Sequence, residues 1–130
     1  MSNFRTPLRR ARGMGSAHHG VAHFIGQRVS GAALVLLVLW AVFSALTLAR
    51  GDYTAATAWL HSPVNATLTA LLVGTGFFHM QIGMREIIED YIATPGAKAV
   101  LMILNVFTCW LIGALAIVCL LKVALGGGAY

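Results

Sequence analysis

Charge is scarce in this 130-residue chain. Asp, Glu, Lys and Arg make up 10% of it, against about 25% in a soluble domain, which excludes an ordinary water-facing globular surface. Acid is scarcer than base: four Asp or Glu stand against nine Lys or Arg, a formal net charge of +5. Cysteine occurs twice, at Cys109 and Cys119, inside one apolar run. A helix would hold the two about 15 Å apart, beyond disulfide reach. No Cys cluster could carry an iron–sulfur centre, and no flavin fingerprint or nucleophile arrangement is present. No segment alternates with period two over a strand length, which argues against a β-barrel. No internal repeat is visible, so nothing supports a repeat-built transporter. The apolar content excludes a disordered tail, and the length excludes a multi-domain enzyme.

What the chain does contain is apolar sequence: 58% of residues are hydrophobic, and mean hydropathy is +0.80. Three runs free of charge cover residues 29–49, 63–84 and 99–121. Each is near the roughly 20 residues needed to span a bilayer as a helix. Helices satisfy their own backbone in lipid. The expectation is therefore an all-α integral membrane protein, one membrane-anchor domain over 1–130, with three transmembrane helices. In so apolar a chain the basic residues read as topology signals before they read as a nucleic-acid surface. Arg5, Arg9, Arg10, Arg12, Arg28, Arg85 and Lys98 fall on one side of a three-span chain, and Arg50 and Lys122 on the other. Seven against two places the N-terminus, with a cytoplasmic segment over 1–22, inside and the C-terminus outside. The first run is too long for the apolar core of a signal peptide.

His79 stands inside the second run, where an ionisable side chain is a functional candidate by default. Gly76 and Gly83, three before and four after it, share its helical face. Together they form a shallow notch centred on an imidazole, the shape a flat macrocycle needs if its iron is to reach an axial His. The same pattern also suits a His that hydrogen-bonds a neighbouring helix across small residues. No second histidine clearly lies at its depth: His18, His19 and His23 are near the inner surface and His61 is on the outer side. Axial nitrogens about 4 Å apart would then require a ligand from another polypeptide.

Residues 85–91 read Arg-Glu-Ile-Ile-Glu-Asp-Tyr and hold three of the four carboxylates. On a continuing helix Glu86 and Asp90 fall within about 20° of the His79 face. The stripe could accept protons or hold a partner's basic residues, and Tyr91 could equally anchor the interface. Arg28 opens the first span. It could snorkel or pair with an anion such as a haem propionate or lipid phosphate. Ser30 and Gly31 permit close helix approach, Asn105 reads as an interhelical hydrogen-bonder, and Trp110 reads as packing.

The string from His79 to Tyr91, with Gly83 four after the His and Asp90-Tyr91 eleven and twelve after it, resembles the signature of the hydrophobic membrane anchor of succinate dehydrogenase. This is the D-type anchor of respiratory complex II. Residues 20–30 resemble that family's approach to its first helix, and residues 12–17 the lead-in of α-proteobacterial members. The resemblance implies that His79 is an axial ligand of haem b iron, with the other ligand on a C-type anchor. It implies that Tyr91 hydrogen-bonds ubiquinone, that Asp90 is its proton or charge partner, and that Arg28 approaches the haem propionates. Implied partners are the second anchor, an iron–sulfur subunit, a flavoprotein subunit and the lipid bilayer, here a bacterial inner membrane with the C-terminus in the periplasm. The chain would complete the site where electrons from succinate reach quinone, without oxidising succinate itself; the cofactors do the redox chemistry and the protein positions them. One departure is that Ala22 precedes His23 and Ile25-Gly26 follow Phe24, where the family often has a polar residue and an aromatic around the His. Two other readings stay open at this point: the anchor of another redox complex, such as fumarate reductase or formate dehydrogenase, and a small transport component with His79 on a proton path.

Overall fold

The computed structural model describes Thr6, Leu8 and residues 18–126. Four helices account for nearly all of them: α1 (His18–Leu48), α2 (Tyr53–Leu60), α3 (Pro63–Tyr91) and α4 (Pro95–Ala124). No strand occurs among the described residues. Pro63 and Pro95 each sit in the first turn of their helix, where a missing N–H costs nothing and a fixed φ favours the start.

All three apolar runs are helical, but the helices are longer than the runs. α1 begins at His18 instead of 29. α3 continues beyond Met84 to Tyr91, and α4 starts at Pro95 instead of 99. The short helix α2 is additional. Asp52 caps it, its carboxylate accepting from the Ala55 N–H at 2.9 Å. By length and composition α1 (over Gly20–Leu48) and α4 (Pro95–Ala124) are apolar enough to cross a membrane. α3 is more polar, because it carries Asn65, three threonines, His79, Gln81 and the charged stretch at its end.

α3 is the central helix, with α1 and α4 packed on it. Both pairs are antiparallel. Across α1–α3, Ser30 meets His79 and His23 meets Glu86, so seven residues forward on one helix match seven backward on the other. Across α3–α4, Lys98 Nζ donates to the Glu89 carbonyl at 2.8 Å and Asn105 Nδ2 donates to the Gln81 carbonyl at 2.9 Å. At the far end Trp40 stacks on Trp59, with ring centroids 5.6 Å apart. There Asn65 Nδ2 donates to the Trp59 carbonyl, and His61 Nδ1 to the Ala124 carbonyl at 3.0 Å.

Very little is buried. Among the described residues only Ile82, Ile88 and Cys109 form a buried apolar set, while Leu36, Phe43, Phe107, Trp110 and Leu111 are each about 70% exposed. Helices in lipid gain nothing from hiding leucine, and associate through close packing and interhelical hydrogen bonds. The interfaces follow that rule. A Cβ on Gly26 would lie 3.5 Å from Ile82, and one on Gly113 would lie 3.2 Å from the Phe77 ring.

Candidate functional site

The His79 side chain projects from α3 toward α1, and its Nδ1 lies 2.9 Å from Ser30 Oγ. Ser30 is 4% exposed, the one buried polar residue among those described. Its hydroxyl also donates to the Gln27 carbonyl one turn back at 3.1 Å. Gly31 lies beside the ring: a Cβ there would sit 3.3 Å from His79 Cε1, tighter than an ordinary contact. α1 therefore approaches the imidazole closely only because residue 31 lacks a side chain.

The notch differs from the one the spacing suggests. Gly83 is not open, since the Gln27 side chain packs over it, with Nε2 3.4 Å from where a Cβ would be. Gly76, on the other flank, has nothing within 4 Å of that position. The free space beside His79 thus lies on the Gly76 side, toward the middle of α3. Helix–helix register decides this, and no single-helix wheel contains it.

His79 and Glu86 share a face, as their seven-residue spacing requires, and both meet α1. Glu86 Oε1 lies 3.3 Å from His23 Nδ1. His23, where the sequence departs from the family's pattern, stands at the Glu86 end of this seam. Its Nε2 and the Gln27 Oε1 are enclosed without a hydrogen-bond partner among the described residues. The His23, Gln27, Ser30 spacing of four and three was the available signal, a polar stripe on one helical face. His18 and His19 belong to α1, but their side chains lie outside the described residues.

Asp90 is exposed, and Tyr91 is 82% exposed as the last residue of α3. Arg85 Nε donates to Glu89 Oε1 at 2.7 Å. Tyr91, Asp90 and the His23–Glu86 pair therefore share the end of the molecule that also holds the short α3–α4 connection. Arg28 does not point along the seam. It is exposed, and its guanidinium lies 5.1 Å from the centre of the Phe24 ring. Two residues before Ser30 is roughly 200° around the helix, so Arg28 faces away from α3.

Asn105 bridges the helices as expected, and its Oδ1 in turn accepts from Cys109 Sγ at 3.4 Å. Trp110 is 70% exposed and lines an apolar hollow of about 330 Å³ between α3 and α4, together with Phe77, Phe78 and Gly113. Both cysteines are free.

Residues 2–121 match the family described as succinate dehydrogenase/fumarate reductase transmembrane subunit. A Paracoccus denitrificans protein named succinate dehydrogenase hydrophobic membrane anchor subunit is 33% identical over 124 residues, covering 93% of each chain. Proteins of the same name from Rickettsia conorii and Rickettsia bellii are each 32% identical, over 82% and 78% of this chain and 86% and 81% of their own. Matched over nearly its whole length, this chain of long antiparallel helices belongs to the succinate dehydrogenase/fumarate reductase transmembrane subunit family.

Proposed function

We propose that this chain is the hydrophobic anchor subunit of a bacterial succinate dehydrogenase, crossing the inner membrane three times with its N-terminus in the cytoplasm. In this reading it shares a haem b with a second, C-type anchor and completes a ubiquinone site beside the iron–sulfur subunit, with the flavoprotein beyond. The family description covers fumarate reductase as well; the reading follows the name of the matched relatives.

The observation that carries it is the state of His79. One ring nitrogen is held by Ser30 on the neighbouring helix, which leaves Nε2 as the nitrogen able to ligate iron. The residues fit a haem on this account and on a second: the helix is bare at Gly76, one turn away on the same face. His23 is two turns of α1 from Ser30 and pairs with Glu86, and His61 is at the opposite end beside Ala124. The second axial ligand is therefore assigned to the partner anchor. When bound, the haem supplies a one-electron carrier whose potential its ligands and their hydrogen bonds tune.

Arg28 is proposed to hold a propionate or another anion at the seam with the second anchor, the side of α1 it faces being the one turned away from α3. Tyr91 donates its phenolic hydrogen to a quinone carbonyl, and Asp90 beside it serves as proton or charge partner. The exposure of both supports a site that other chains complete. The basic residues support the orientation: Arg28, Arg85 and Lys98 share one end of the helices, and Arg50 and Lys122 the other.

The test is purification through a tag on this chain in mild detergent. A flavoprotein, an iron–sulfur subunit, a second small anchor and one haem b per assembly are expected. A chain that purifies alone and haem-free, or with the subunits of another enzyme, would overturn the reading.

A further inference from the structure

We propose that Ser30 is a positioning residue that fixes His79 in the tautomer carrying its proton on Nδ1 and leaves the Nε2 lone pair free for iron. The inference rests on the haem reading above and extends it to a residue outside the ligand set.

The hydrogen bonds dictate the proton positions. Ser30 Oγ lies 3.1 Å from the Gln27 carbonyl and 2.9 Å from His79 Nδ1. A hydroxyl has one proton and two lone pairs. The carbonyl can only accept, so the hydroxyl proton points to it. The oxygen then faces Nδ1 with a lone pair, and Nδ1 must carry the hydrogen. In neutral imidazole one nitrogen donates and the other accepts, so Nε2 is unprotonated.

Packing locks this arrangement. Ser30 is almost wholly buried, so water does not compete for its oxygen. Turning the ring over would set a carbon against Ser30 Oγ and forfeit the bond. Gly31 leaves room for His79 Cε1 at 3.3 Å from the position of its missing Cβ, which seats the ring against α1. A metal-ligating histidine commonly donates its other N–H to such a partner, which fixes its orientation and raises its basicity. A more basic imidazole favours ferric over ferrous iron, so losing the bond should raise the haem potential.

The experiment compares Ser30→Ala, Ser30→Thr and Ser30→Val in the assembled complex, reading haem content, the low-spin electron paramagnetic resonance signal and the midpoint potential. Thr and Val have nearly the same volume, but only Thr keeps the hydroxyl. Ala and Val should retain haem, shift the signal and raise the potential. The expected change is about two- to tenfold in the ferric-to-ferrous ratio, given the modest net worth of a neutral hydrogen bond; tenfold is about 59 mV for one electron. Thr should restore wild-type values. Unchanged signal and potential in Ala, or equal shifts in Thr and Val, would overturn the proposal. If Ala does not assemble, the comparison of Thr with Val decides, and failure of Thr to hold haem also overturns it. His79→Ala separates the two levels. If that variant keeps an unaltered low-spin haem, the ligand assignment itself has failed, whatever the Ser30 variants do.

Discussion

Single atoms matter most at Tyr91 and Gly31. Tyr91 ends α3 with its phenol in the open, so Tyr91→Phe removes a hydroxyl and no packing within this chain. A lost hydrogen bond to a desolvated carbonyl is worth about 1–3 kcal/mol, or roughly a five- to hundredfold drop in quinone reduction at tenfold per 1.4 kcal/mol. Succinate oxidation by an artificial acceptor that takes electrons upstream should stay near normal in the same preparation. Wild-type quinone turnover would return Tyr91 to an interface anchor. Gly31 makes a different demand, since a Cβ there would press on His79 Cε1. Gly31→Leu should therefore lower haem per complex, as read from the reduced-minus-oxidised spectrum, while a substitution at Gly74, which has nothing within 4 Å, should be tolerated better. His79 was legible in the sequence because an ionisable group in an apolar run needs a reason to be there. Its contacts with Ser30 and Gly31 were not legible, nor was the His23–Glu86 pair. All of them depend on the register between two helices, and periodicity within each helix leaves that register open.

At the scale of elements, the apolar runs located the bodies of α3 and α4, because composition acts locally, but not the last seven residues of α3 or the first four of α4, where charge or proline ends the apolar run. The α1 start escaped notice, since residues 18–28 mix polar and apolar side chains and have no apolar run to mark them. The eight-residue α2 was missed as well. Its signal was Asp52 followed by Thr54 and Ala55, whose hydroxyl and N–H both donate to Asp52 Oδ1. The Thr54 hydroxyl, then the Ala55 N–H, hold the Asp52 carboxyl below its ordinary value. A carboxyl depressed by folding stabilises its cap above the unfolded value and loses that contribution as pH falls through the folded one. Amide exchange at the start of α2, corrected for intrinsic rates, should therefore rise on acidification below the ordinary Asp range, and Asp52→Asn should flatten that dependence. The α3–α4 contact carries its own prediction. Gly113 lies against the Phe77 ring, with less than a normal contact to spare for a Cβ. Overpacking a fitted interface costs about 1–3 kcal/mol, so Gly113→Leu should lower the thermal midpoint of the detergent-solubilised complex, and trimming the ring with Phe77→Ala should recover part of the loss.

Most large apolar side chains among the described residues are exposed, as suits a membrane anchor covered by lipid or by other subunits. The Lys and Arg distribution predicts which end faces the cytoplasm. A reporter active only outside the cytoplasm should be silent when fused after Pro95 and active when fused after Tyr130; the opposite pattern would put Tyr91 on the wrong side for an iron–sulfur partner. The central claim is that this chain supplies one axial nitrogen to a haem whose other ligand belongs to a second anchor. The most direct measurement is the optical and electron paramagnetic resonance spectrum of the purified complex carrying His79→Ala. The low-spin b-type signal should be lost or converted to high spin while the flavoprotein and iron–sulfur subunits remain bound. An unaltered low-spin spectrum with two histidine ligands would contradict it.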